Sequence, residues 1–120
     1  MTSFYVFSWL KAFVATFAIE APIVCSYPAC SDAPLPRRLA LVLFANLVTH
    51  PAVWFIIPEL GLPPLWAIVA SEVWAIAMEA WFYKSVFVRL TSLRALGISA
   101  LANGASFGIG LLIRAWTGAI

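Results

Sequence analysis

Residues 65–88, LWAIVASEVWAIAMEAWFYKSVFV, are almost entirely apolar and long enough to cross a lipid bilayer as one α-helix. Such a crossing needs about 20 mostly apolar residues. Working outward, three further stretches meet this requirement: residues 4–24, 39–57 and 95–113. The breaks between spans are two proline-rich turns and one basic segment, at 26–36, 58–64 and 89–94. The sequence therefore predicts an all-α integral membrane protein, a single transmembrane domain over 1–120, with four transmembrane helices in an antiparallel bundle.

Composition excludes most soluble functions. Hydrophobic residues make up 64% of the 120-residue chain, charged residues 10%, and the mean hydropathy is +1.01. A soluble domain of this length could not cover its surface with so few polar side chains. The chain has one histidine, one aspartate and no HExxH motif, so enzyme activity is not expected, although a carboxylate-assisted enzyme acting on lipid stays open. No nucleotide cofactor and no nucleic-acid partner are expected.

Basic residues predict the orientation. Two lie on the side of the termini, Lys11 and Arg114, and five lie at or near the opposite side: Arg37, Arg38, Lys84, Arg89 and Arg94. The positive-inside rule places the basic loops in the cytoplasm. We therefore expect the cytoplasmic (inner) membrane, with both termini outside.

Four ionisable side chains interrupt the predicted spans: Glu20, His50, Glu72 and Glu79. A charged side chain at the centre of a membrane helix costs roughly 2.5–3.5 kcal/mol, so such groups usually face the protein interior and serve a function. Asn46 and Thr49 share the face of His50, and Tyr83 shares the face of Glu72 and Glu79. The fourth span has a polar stripe of its own, at Ser99, Asn103, Ser106 and Gly110. The pattern predicts four helices around a polar interior.

Helical rise gives the expected depth of each group. At about 1.5 Å per residue, Glu20, Asn46, Glu79 and Asn103 are able to converge at one level, and His50 with Glu72 would form the next step. Glu72 and Glu79 are separated by about 10.5 Å of rise, too far to share one ion. This staggered line of groups predicts a proton or cation pathway, in which Thr49, Tyr83 and Ser106 are supporting residues.

Several alternatives remain open at this stage. Glu20, His50 and Glu79 would suit a divalent transition metal, and the same polar groups would also serve as hydrogen-bonding glue between helices in an accessory subunit of a larger complex. His50, with Trp54 four residues on, is also compatible with a tetrapyrrole ligand. Cys25 and Cys30 fit free thiols, a short-loop disulfide or the capture of a soft metal.

Small residues predict close helix contacts. Ala100, Gly104 and Gly108 form a small-xxx-small ridge, which lets helices approach within a chain or between copies. Because 120 residues enclose little volume, we expect a homo-oligomer or a larger membrane complex. The four-span layout and Glu20 in the first span are similar to small multidrug exporters, but that family has no counterpart for His50.

Overall fold

The computed structural model describes residues 2–118 and confirms the predicted all-α bundle. Its four long helices are α1 (Ser3–Cys25), α2 (Leu35–Pro51), α3 (Pro64–Val86) and α4 (Ser92–Thr117). A π-helical segment (Ala52–Ile56) and a 3-10 turn (Ile57–Leu60) prolong α2, and a second 3-10 turn (Pro28–Cys30) follows α1. All four helical segments are long and apolar enough to cross a membrane.

Local chemistry sets the helix boundaries. The side chains of Thr2 and Thr91 accept hydrogen bonds from the N–H groups of Tyr5 and Arg94, which caps the first turns of α1 and α4. Helix α2 begins at Leu35, inside a turn predicted to run to residue 36, because proline is tolerated in the first helical turn. The predicted spans 65–88 and 95–113 differ from α3 and α4 by a few residues at their ends.

The helices form a closed ring. Each helix packs against its neighbours in sequence, and α1 also packs against α4. Tightly packed apolar side chains fill the end of the bundle where α1 ends and α2 begins, and Val24, Val42, Phe87 and Leu90 belong to this core. Many large apolar side chains on all four helices point outward. That distribution suits a lipid environment, since lipid solvates them as well as a protein core does.

Two prolines alter the end of the second span. Neither Pro51 nor Pro58 has an N–H group, so each removes one bond from the α-helical ladder. The chain between them adopts the π-helical segment, which the sequence analysis did not predict. The carbonyl of Trp54, four residues before Pro58, accepts a hydrogen bond of 2.5 Å from the Tyr5 hydroxyl. Helix α1 thereby holds this irregular segment in place.

The first loop folds against the ends of α1 and α2. The Arg38 guanidinium donates to the Cys25 carbonyl and so satisfies a free acceptor at the end of α1. Cys25 and Cys30 are both buried free thiols. Of the alternatives that the sequence left open for them, the structure has free thiols and not a disulfide. Burial, with smaller contributions from Asp32 and Cys25, raises the pKa of the Cys30 thiol to about 11.

The small-residue ridge does not pack within the chain. Ala100 and Gly104 are exposed, Gly108 is half-buried, and a Cβ atom built on either glycine would meet nothing within 4 Å. The inward face of α4 is instead formed by buried residues such as Ser99 and Asn103. Helix packing inside the bundle is therefore not the role of the ridge, and contact between copies stays a prediction.

Candidate functional site

Glu79 lies at the centre of a polar layer that crosses the bundle. Its side chain is only 1% exposed. One carboxyl oxygen, Oε2, accepts a hydrogen bond of 2.7 Å from Thr49 Oγ1 on α2, and the other, Oε1, accepts one of 3.0 Å from Asn103 Nδ2 on α4. This carboxyl therefore links three helices through hydrogen bonds.

Glu20 brings α1 into the same layer. It is 0% exposed, and its Oε2 atom accepts a hydrogen bond of 2.9 Å from Ser106 Oγ. The Glu20 carboxyl also lies within hydrogen-bonding reach of Asn46 and of the Glu79 carboxyl. Two carboxylates are acceptors only, so a hydrogen bond between Glu20 and Glu79 requires a proton on one of them. The structure thus brings together the four residues expected to converge at one level.

The two hydroxyl groups of this layer each have a second acceptor on their own helix. Thr49 Oγ1 lies 3.1 Å from the Ala45 carbonyl, and Ser106 Oγ lies 3.1 Å from the Asn103 carbonyl. A hydroxyl has a single hydrogen to donate but also accepts. Each hydroxyl is therefore able to donate to an ionised carboxylate, or to turn to its backbone acceptor and accept from a protonated carboxyl. The layer offers hydrogen-bond partners to the carboxyls in both protonation states.

Ser99 and Asn103 fix the α4 side of the layer. Ser99 Oγ donates to the Ile76 carbonyl at 2.8 Å, and this bond ties α4 to α3. Asn103 Nδ2 also donates to the Ser99 carbonyl at 2.9 Å, so both of its hydrogens have acceptors. The Asn103 amide is therefore oriented before any ligand arrives.

A cavity of about 390 Å³ lies on one side of this layer. Asn46, Glu79 and Asn103 line its floor, and it runs toward the end of the bundle where Arg114 lies on α4. Residues from all four helices form its walls, and small side chains leave the space: Ala12, Ala15, Ala75 and Gly110. Sequence reasoning placed Gly110 on the polar stripe of α4 but missed the three alanines, because a small apolar residue carries no chemical signal of its own.

His50 and Glu72 both line this cavity above the floor. The His50 ring lies edge-on to Phe13 and stacks on Trp54 at 6.4 Å between ring centroids. His50 Nε2 lies 3.4 Å from Thr16 Oγ1, whereas Nδ1 has no hydrogen-bond partner in the part of the chain that the structure describes. The two residues predicted to form the next step thus share one cavity without bonding to each other.

The opposite side of the polar layer is closed. Tyr83 is fully buried there, one helical turn beyond Glu79, and its hydroxyl has no hydrogen-bond partner among the described residues. Apolar side chains, among them Val24, Val42 and Phe87, fill the space beyond it. Among the described residues, packed side chains therefore border the carboxyl pair on this side, and the cavity borders it on the other.

The expected metal ligands do not come together as a set. Within residues 2–118, no group of three or more His, Cys, Asp or Glu side chains is arranged to hold a metal ion. Glu20 and Glu79 approach each other, but His50 bonds to Thr16 instead. The predicted set of Glu20, His50 and Glu79 is thus not assembled in this conformation.

Ser106 lies in the sequence GASFG, which matches the GxSxG spacing of hydrolases. That motif acts at a sharp turn between a strand and a helix, where the serine is exposed. Here the five residues lie inside the continuous helix α4, and Ser106 bonds to Glu20. The spacing therefore does not form a nucleophile elbow.

The chain is a small membrane-type four-helix protein whose interior holds hydrogen-bonded glutamates. Comparisons with protein families, curated proteins and solved structures find no match to it.

Proposed function

We propose that the protein binds a cation in the cavity above Glu79 and couples this binding to a proton held by the Glu20–Glu79 pair, as a step in proton-linked transport. The observation that carries the proposal is the pair of hydroxyls, Thr49 and Ser106, each with an alternative backbone acceptor. Groups that accept both protonation states of a carboxyl allow it to gain and lose a proton without leaving a buried polar atom unpaired.

The remaining residues take roles that follow from their places. Glu79 and Glu20 hold the proton or the cation, Asn46 and Asn103 orient the carboxyls, His50 relays protons along the cavity wall, and Glu72 acts nearer the mouth. The cavity reaches the end that holds Arg114, opposite the basic loops. With the basic loops on the cytoplasmic side of the inner membrane, the cavity would open to the opposite, outer side.

Movement across the membrane requires a second conformation in which the cavity side closes and the Tyr83 side opens. The unpartnered Tyr83 hydroxyl is next to the carboxyl pair on the closed side. A homo-oligomer or a larger complex would supply the lateral support for such a change, and the exposed Gly104 face is where we expect a second copy to bind.

The second candidate is an accessory subunit in which the polar layer only fastens helices together. Its supporting observation is that Glu79 already satisfies both oxygens with donors from α2 and α4. Under this function the carboxyl needs no charge, and glutamine would replace it. Its amide oxygen accepts from Asn103, and its NH2 group donates to the Thr49 hydroxyl, which then donates to the Ala45 carbonyl.

Proton flux into liposomes separates the two candidates. Glu79→Gln should abolish flux driven by a cation gradient, while the purified protein keeps its helical content and remains folded. Glu59→Gln is the matched control, since Glu59 is exposed in the 3-10 turn that ends the second span. Normal flux through protein carrying both Glu79→Gln and Glu72→Gln would rule out the transport proposal.

The identity of the cation starts with elemental analysis of the purified protein. A near-stoichiometric metal that is lost in a Glu79→Gln/His50→Ala double variant would assign a metal ion to this site. Metal-free protein in both samples would direct the search to protons and organic cations.

A further inference from the structure

We infer that the ligand of the cavity is a linear dication, a diamine or polyamine whose two ammonium groups bind Glu79 and Glu72. The inference rests on the proposed function and names its substrate class. It begins from the fact that both carboxyls line one cavity from one helix.

The spacing of the two carboxyls sets the length of the ligand. Residues seven apart on an α-helix project in nearly the same direction and are separated by about 10.5 Å along the axis. Ala75 lies between them on α3 and also lines the cavity, so its small side chain leaves the path open. One compact ion cannot touch both groups, whereas an extended chain with a charge at each end can.

The walls between the carboxyls suit an alkyl chain. Trp54 and Phe107 line the cavity together with aliphatic side chains from α1 and α4. Aromatic faces attract ammonium groups as well as methylene groups, and they do so most strongly where water is excluded. A volume of about 390 Å³ falls within the range of small-molecule sites, about 300–1,000 Å³, and greatly exceeds that of a dehydrated metal ion.

Charge and one unpaired nitrogen agree with a dication. With one proton shared, the Glu20–Glu79 pair carries one negative charge at the floor, and an ionised Glu72 adds a second. Within residues 2–118, His50 Nδ1 has no hydrogen-bond partner, and it lies about 6 Å of helical rise above the floor. In the tautomer whose Nε2–H donates to Thr16 Oγ1, Nδ1 is an acceptor, and an ammonium group would supply its missing donor.

Among the described residues that line the cavity, Arg114 is the one with a positively charged side chain. It lies near the end of α4 and is exposed, so water at the mouth screens its charge. The favourable charges lie deeper, where screening is weaker. A dication would therefore pass Arg114 and bind beyond it.

The test uses linear diamines from ethane diamine to decane diamine, each beside the monoamine of equal carbon number, with the purified protein in detergent. We expect diamine affinity to pass through a maximum at one chain length. At that length Glu72→Gln should weaken diamine binding about tenfold and leave the monoamine unchanged, because only the diamine reaches both carboxyls. Glu59→Gln is the control for loss of an exposed carboxylate elsewhere.

Each outcome bears on one proposal. Diamine affinity that rises steadily with chain length, or that is unaltered by Glu72→Gln, would overturn the dication inference. If monoamine and diamine bind equally and Glu79→Gln removes both, the proposed single-cation function stands and the inference fails. Circular dichroism of the Glu72→Gln protein checks its folding. The change should not disturb folding, because Glu72 is half-buried and glutamine has nearly the same shape as glutamate.

Discussion

The two halves of the bundle on either side of the Glu20–Glu79 layer are built from the same four helices, yet one is filled and the other is open. In the filled half, Tyr83 and Phe87 occupy the centre with Val24 and Val42. In the open half, alanine and glycine occupy the corresponding inward positions and leave a cavity. Side-chain volume at inward positions, rather than hydropathy, distinguishes the closed from the open side of the polar layer.

The strongest way to break this comparison is to remove one ring from each half. Phe87 is 2% exposed in the filled half, and Phe107 is 39% exposed beside the cavity. Phe87→Ala should lower the free energy of unfolding by about 3–5 kcal/mol, because it leaves a void that cannot collapse. Phe107→Ala should cost about 1 kcal/mol or less. Unfolding in mixed micelles by added SDS measures both, and equal losses would show that the halves are packed alike.

The rate at which the Cys30 thiol is alkylated reports on the packing of the filled half. Because burial raises the pKa of Cys30 to about 11, its thiolate fraction at pH 8 is about a thousandth, against about a quarter for an ordinary thiol. In a Cys25→Ala background, alkylation of Cys30 by iodoacetamide should be at least about a hundredfold slower than that of an exposed thiol. Its rate should keep rising with pH toward 11.

The matched control is Ser31→Cys in a Cys25→Ala/Cys30→Ala background, since Ser31 is exposed beside Cys30. A Cys30 alkylation rate that levels off near pH 9 would contradict a buried thiol.

The raised pKa of Cys30 should also make the stability of the protein depend on pH. The folded state retains the proton more tightly than the unfolded chain, so the free energy of unfolding should fall as pH rises above about 8.5.

The boundary between the halves is tested by deleting its central carboxyl. Glu79→Ala removes the acceptor of Thr49 and Asn103, and an unpaired buried N–H should lower the free energy of unfolding by about 1–3 kcal/mol. Glu79→Gln should cost less, because its amide oxygen still accepts. Glu59→Ala is the exposed control. The same SDS titration compares the variants, and equal stability of Ala and Gln would mean that the layer does not hold the helices together.

The smallest expected effect is a gain in stability, from a substitution in the open half. A Cβ atom on Gly110 would meet nothing within 4 Å, so Gly110→Ala should stabilise α4 by about 0.5–1 kcal/mol. Ala102 is fully buried in the filled half, and Ala102→Leu should destabilise the protein by about 1–3 kcal/mol through overpacking. Thermal unfolding in detergent gives both signs. A loss of stability on Gly110→Ala would place an unseen neighbour against that wall.

Sequence patterns were informative about faces and weak about neighbours. The helical spacing of Asn46 and Thr49 predicted an inward stripe, and the structure brings both residues to the carboxyl pair. The same reasoning expected Gly104 and Gly108 to allow a close approach within the chain or between copies. Among the described residues, Gly104 is exposed, Gly108 is half-buried, and a Cβ atom on either would meet nothing within 4 Å. Small residues permit a close approach without requiring one, so periodicity alone could not decide which surface they meet.

Hydropathy and helical periodicity by themselves determined the all-α class, the four spans and the depth at which Glu20, Asn46, Glu79 and Asn103 meet. These features follow from chain length, proline positions and the rise of an α-helix, which are local properties. Only the tertiary structure decided that His50 bonds to Thr16, that the cavity lies on one side of the layer, and that Thr49 and Ser106 each have two acceptors. Those outcomes depend on how four helices rotate and pack against one another, and a single helix carries no record of its neighbours.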